Sequence, residues 1–159
     1  MSQPGLIDGH QFARGAETLK GALDVSQLPR LAAMRCATRG LSYELRGSTD
    51  AEGRCWLQVL ANGALTLECQ RCLGPFTFPV ALRSRLLLAG SEREIEVADD
   101  DIDRVLAGKS MDVRQLVEDE VLLALPMAPR HERCGGKREG DEAGRPSPFA
   151  KLAELKRIQ

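Results

Sequence analysis

Trp56-Leu57-Gln58-Val59-Leu60-Ala61-Asn62-Gly63-Ala64-Leu65-Thr66-Leu67-Glu68-Cys69-Gln70-Arg71-Cys72-Leu73-Gly74-Pro75-Phe76 is the stretch on which the fold turns. Residues 54–61 are apolar and β-prone. Asn62-Gly63 follows, and then a second β-prone run. An Asn-Gly pair between two such runs signals a type I′ hairpin, because both turn residues need positive φ. Leu65, Leu67 and Cys69 would share one face of the second strand. That strand ends where Cys69, Cys72, Gly74 and Pro75 crowd together. A new alternating run opens with Phe76, Phe78 and Val80 and continues to Leu88. Cys69 and Cys72 are therefore placed at a reversal between two strands.

Working outward, residues 36–46 alternate loosely, with Leu41, Tyr43 and Leu45 on one side, which predicts an earlier strand. Residues 49–53 read as a turn. Ser26 is a candidate N-cap for a short helix through Leu31 and Met34. Downstream, residues 94–97 suggest an edge strand, and residues 99–101 a solvated acidic loop. That acidic run lacks the glycine and the downstream glutamate of a calcium loop. Asp112 is a good N-cap for a helix whose face is Val113, Leu116, Val117, Val121 and Ala124, and Pro126 ends it. Glu118, Asp119 and Glu120 are expected on its solvent side.

The pattern predicts an α+β fold, with a mainly antiparallel β-sheet, a packed helix and a short C-terminal helix. Residues 1–134 would form one domain, although residues 1–25 carry weak signals. Residues 135–147 are Gly-rich and charged and read as a flexible linker. Ser147-Pro148 would then start an amphipathic helix over residues 148–157, with Phe149, Leu152 and Ala153 on one face.

Charge is unevenly placed along the chain. Residues 1–88 hold ten Lys/Arg against seven Asp/Glu, residues 89–128 four against eleven, and residues 129–159 eight against five. Of the 22 cationic residues 17 are Arg, a side chain suited to phosphates and bases, so RNA is a compatible partner. No apolar run is long enough for a membrane span, and residues 1–10 lack the basic and apolar regions of a secretory leader. A cytoplasmic location is expected, and the odd count of five cysteines fits a reducing compartment better than a disulfide framework.

Cys69-x-x-Cys72 is the sharpest chemical motif, and three readings compete for it. Two thiolates from one tight turn suit a structural zinc ion, with His131 and Cys134 as the remaining ligands. Gly74 would then supply the left-handed backbone such a knuckle needs. A redox dithiol wants a helix N-terminus behind the first cysteine, whereas a strand follows here. The third reading is two small thiols near the core. Cys36 and Cys55 fall inside predicted strands. No nucleophile triad, phosphate-cradling loop or HExxH pattern occurs, so the chain does not read as an enzyme with a small-molecule substrate.

Three blocks together carry a resemblance. Leu65-Thr66-Leu67-Glu68-Cys69-Gln70-Arg71-Cys72 with Pro75-Phe76-Thr77 is similar to the central signature of the bacterial YceD family. Val117-Glu118-Asp119-Glu120-Val121-Leu122-Leu123-Ala124-Leu125-Pro126 resembles its second signature, with His131 and Cys134 following in kind. Residues 146–157 resemble its C-terminus. The resemblance implies a non-enzymatic ribosome-biogenesis factor that supports synthesis, processing or stability of large-subunit ribosomal RNA. Its partner would be that RNA or a pre-ribosomal particle. Candidate RNA contacts are Arg71 near the knuckle, Arg83 and Arg85 on one strand face, and Arg130, Arg133, Lys137 and Arg138. The alternative is an adaptor that uses the acidic stretch 89–128 to bind a basic ribosomal protein without touching RNA; the third reading, ranked below it, is a zinc or thiol enzyme acting on RNA or a small molecule.

Overall fold

The computed structural model describes residues 5–34 and 36–134, apart from the side chains of residues 38 and 39. In chain order the elements are β1 (Leu6–Ile7), α1 (Gly9–Arg14), β2 (Thr18–Leu23), a 3-10 turn (Val25–Gln27), α2 (Pro29–Ala33), β3 (Ala37–Thr49), β4 (Cys55–Glu68), β5 (Pro75–Ala89), α3 (Glu92–Glu96), β6 (Arg104–Leu106), β7 (Met111–Asp112) and α4 (Val113–Ala124). Five strands form one sheet in the order β2-β3-β4-β5-β6, and β1 pairs separately with β7. Every neighbouring pair is antiparallel except β5 with β6. The α+β class with a mainly antiparallel sheet is thus the observed one.

Alternation along the long strands makes the sheet two-faced. Leu41, Tyr43 and Leu45 of β3, Leu57, Val59, Ala61 and Leu65 of β4, and Val80, Leu86 and Leu88 of β5 are buried on one face. Val113, Leu116, Val117 and Val121 of α4 and Phe12 and Ala13 of α1 complete that core. Gly47 permits α1 to lie directly on β3, since a Cβ there would strike the Phe12 carbonyl oxygen and the Ala13 backbone. The other face carries Lys20, Glu44, Arg46, Gln58, Arg83 and Arg85, and among the described side chains on it only Trp56, Leu87 and Ala89 are buried.

The Asn62-Gly63 turn is not formed. β4 runs unbroken through both residues, and Asn62 pairs with Ser42 on one side and Ala81 on the other. Gly63 serves a different need: a Cβ there would lie 2.9 Å from the Gly40 carbonyl oxygen and 3.1 Å from Leu41 Cδ1. At that point β3 shifts register between Thr38 and Leu41, and Gly40 has φ +124°. A strand glycine marks close backbone approach at a bulge as readily as it marks a turn. The reversals lie instead at residues 50–54, where Gly53 has φ +80°, and at residues 69–74.

Other expectations shift. Residues 94–97 are not an edge strand: they fall in α3 and its C-cap, the helix being capped by Ser91, and the edge is β6. Ser26 caps nothing; it lies in the 3-10 turn, and α2 begins at Pro29 without a side-chain cap of its own. The missing cap comes from afar. Glu118, expected in solvent, is 2% exposed. Its carboxylate accepts from the backbone N–H groups of Arg30 (2.7 Å) and Leu31 (3.0 Å) and from Arg30 Nε (3.1 Å). These are orphan donors of the first turn of α2, so the buried charge is both paired and used. Asp112 caps α4 as expected, accepting from the Arg114 N–H at 2.8 Å. The linker over 135–147 and the helix over 148–157 lie outside the described residues.

Candidate metal centre and its basic surround

The β4–β5 reversal is a knuckle tied by backbone bonds. The Cys69 N–H donates to the Gly74 carbonyl at 2.9 Å, and the Leu73 N–H donates to the Cys69 carbonyl at 2.8 Å. The left-handed residue is Leu73, φ +60°, and not Gly74. The segment after α4 folds back on this turn, where the Gln70 N–H donates to the Pro129 carbonyl at 2.8 Å. That bond delivers His131 and Cys134 to the two knuckle cysteines.

One donor atom each from Cys69, Cys72, His131 and Cys134 lies within 4.8 Å of the other three, so the four could hold a metal ion. Cys69 Sγ is 3.8 Å from Cys134 Sγ, and Cys72 Sγ is 3.4 Å from His131 Nδ1. Tetrahedral zinc with Zn–S near ~2.3 Å sets sulfur–sulfur edges of about 3.8 Å and sulfur–nitrogen edges of about 3.5 Å. The Cys69–Cys134 and Cys72–His131 separations match those edges, and all four donor atoms stay within 4.8 Å of one another. His131 Nε2 donates to the Pro75 carbonyl at 2.9 Å, which leaves Nδ1 as the lone-pair nitrogen facing Cys72. The Phe76 ring meets the imidazole edge-on with centroids 5.4 Å apart, fixing its plane.

Electrostatics at the centre are uneven. Burial opposes charge on Cys69, but the backbone N–H groups of Cys72, His131 and Arg71 and the Cys72 thiol outweigh it and hold Cys69 at about 5. Burial and the adjacent Cys69 and Cys72 sulfurs push Cys134 up to about 11. Cys69 thus carries a negative charge easily, while Cys134 beside it resists one unless a cation neutralises it. A Cys3His set leaves no open position for a substrate, which is the character of a structural site.

The predicted basic residues fall into two places. Arg71 and Arg130 are exposed and line an open hollow of about 740 Å³ beside the knuckle, together with Gln70 and Ala128. Arg133 is exposed next to Cys134. Arg83 and Arg85 lie apart, on the solvent face of β5. None of these five pairs with a carboxylate among the described residues. Lys137 and Arg138 lie outside the described residues. The Pro75 and Pro129 carbonyls and the Phe76 ring are also part of the site; Pro75 and Phe76 stand in the signature block, but their roles are not legible there, since the prolines act through backbone atoms and the ring through a contact distant in sequence.

The family model described as large ribosomal RNA subunit accumulation protein YceD matches residues 57–156. The chain belongs to the YceD family. The match takes in β4 from Leu57 on, the knuckle, α4 and the segment with His131 and Cys134, so the candidate centre lies wholly inside it. The family's description ties the YceD chain to accumulation of large-subunit ribosomal RNA. No solved structure matches the chain. Among the described residues, no helix is long and apolar enough to cross a membrane.

Proposed function

We propose that this YceD protein is a non-enzymatic, cytoplasmic ribosome-biogenesis factor that binds large-subunit ribosomal RNA, free or in a pre-ribosomal particle. In that role it supports the RNA's synthesis, processing or stability. The family match carries the reading. The basic surround of the knuckle supports it, since Arg71, Arg130 and Arg133 are exposed and lack carboxylate partners among the described residues. Cys69, Cys72, His131 and Cys134 hold a structural zinc ion, which fixes the returning segment on the knuckle and with it the spacing of those arginines. Lys137 and Arg138 follow Arg133 closely in sequence and add two positive charges to this segment.

The adaptor reading has less support. Several carboxylates of the acidic stretch are engaged internally: Glu118 caps α2, Asp112 caps α4, Glu94 accepts from the Gly90 N–H at 2.8 Å, and Asp100 pairs with Arg104. Fewer remain for a basic protein partner.

The test is binding of the purified full chain to a large-subunit ribosomal RNA fragment across a salt series. A variant with Arg130, Arg133, Lys137 and Arg138 changed to Gln is measured beside it. Direct recognition gives a log–log salt slope that becomes shallower in the variant by about one for each lost contact. No binding at physiological salt would reject RNA recognition by this chain. Metal analysis of the same preparation is expected to give about one zinc per chain.

A further inference from the structure

Trp56 is the only tryptophan of the chain, and it lies on the solvent face of the sheet yet is 7% exposed. Two cationic side chains lie over its ring. The Arg85 guanidinium carbon sits over the ring, 4.1 Å from its centroid, and that of Arg54 is 5.7 Å away. At the ring edge, the indole N–H donates to Asp50 Oδ2 at 2.9 Å, which anchors the ring. Arg54 is neutralised by Asp50 and Glu52. Arg85 has no carboxylate partner among the described residues, although it stands on a chain with 23 acidic residues.

The register extends this feature into a surface. Gln58 lies opposite Arg85 and beside Arg46, and Leu60 lies between Arg83 and Glu44. With its amide oxygen turned toward Arg83, Gln58 accepts from Arg83 Nε and Nη2 at 3.1 and 3.2 Å. Arg83 is thereby oriented by a neutral group and keeps its charge. Asn62, Ser42 and Ala81 continue the open face one row further on. Alternate residues on one strand face stand about 7 Å apart.

We infer that this solvent face seats single-stranded RNA, with a base stacked on the outer plane of Arg85 and a backbone phosphate on Arg83. This deepens the RNA reading above and rests on it, but it assigns a second surface, distinct from the knuckle. A guanidinium already stacked on an indole is held in place before the ligand arrives, and its free plane is a stacking partner for any base. Bases of a duplex are not available to that plane, so the seat selects unpaired RNA.

Because Trp56 lies beneath Arg85, its fluorescence reports occupancy of the seat directly. The full chain is titrated with oligouridylate and oligoadenylate of about ten nucleotides, with a duplex of the same length alongside. The expected result is a saturable change in tryptophan emission with single strands and none with duplex. Arg85→Lys keeps the charge but removes the plane. It is expected to weaken oligonucleotide binding about fivefold to tenfold with the salt slope retained. Arg83→Gln is expected to make the slope shallower by about 0.7. Circular dichroism establishes that both variants stay folded.

Two failures are distinguishable. If the chain binds a large-subunit ribosomal RNA fragment, yet single strands leave Trp56 emission unchanged and both variants bind like the parent, the seat is wrong and the knuckle reading stands. If the chain binds no RNA at all, both fall. Equal binding of duplex and single strand with unchanged Trp56 emission would also overturn the seat.

Discussion

Leu73 holds a left-handed conformation that leucine seldom adopts, at φ +60°, and it does so 69% exposed. With so little burial to lose, Leu73→Gly removes the steric cost and is expected to change stability by no more than about 1 kcal/mol, toward stabilisation. Leu73→Val, β-branched at a left-handed position, should destabilise by about 1–2 kcal/mol. Denaturant midpoints of the two variants check both signs. Asp50 offers a pH test at the same scale. The Trp56 indole N–H, and then the Arg54 backbone and guanidinium, hold its carboxyl below the ordinary carboxylate range against the opposing effect of burial. A depressed folded-state pKa stabilises the fold above the unfolded value of about 3.9 and loses that contribution as pH falls below it. The stability difference between the parent and Asp50→Asn is therefore expected to be present at pH 7 and to shrink toward pH 3. A difference that stays constant over that range would contradict it. The four metal-ligand candidates were legible as residues, because CxxC and His131-x-x-Cys134 share a spacing. The left-handed residue was not, since glycine next door was the cheaper guess.

At the scale of elements, the most informative contact is Glu118 with α2. A five-residue helix starting at Pro29 has no side-chain cap of its own, and a carboxylate 88 residues away from Arg30 supplies one. Glu118→Ala leaves two backbone donors unpaired and is expected to cost about 3 kcal/mol. Glu118→Gln, which keeps an acceptor oxygen, should cost less. Thermal unfolding of both variants gives the ordering, and equal losses would contradict the cap. Periodicity along the chain made α4 readable and put Val113, Leu116, Val117 and Val121 on the correct face. It also put Glu118 in solvent, because the run Glu118, Asp119, Glu120 looks like a charged stripe until the partner helix is known. Gly63 shows the same limit. Asn-Gly reads as a turn locally, but the long-range pairing of β4 with both β3 and β5 outweighs it. β2, β6 and α1 had little local pattern, since short elements depend on the sheet they join.

For the whole molecule, β4 separates two ends. At 14 residues it spans roughly 45 Å, with Trp56 near one end and the knuckle at the other. None of the four candidate ligands belongs to the apolar core cluster, although Cys69 is buried and Phe76, beside His131, packs against that core. Loss of the metal should therefore loosen one end only. Cys72→Ser is expected to abolish stoichiometric zinc and to lower hydrogen-exchange protection across residues 69–75 and 126–134, while β2, β3 and the first half of β4 keep theirs. Loss of protection throughout the sheet would show that the centre is needed for the whole fold.

The claim that the chain acts on large-subunit ribosomal RNA itself is tested most directly by ultraviolet crosslinking of the full chain in living cells, followed by sequencing of the attached RNA. Crosslinks concentrated on large-subunit ribosomal RNA or its precursor, well above the small-subunit background, are the expected result. Crosslinks spread evenly over both ribosomal RNAs, or an absence of attached RNA, would contradict it.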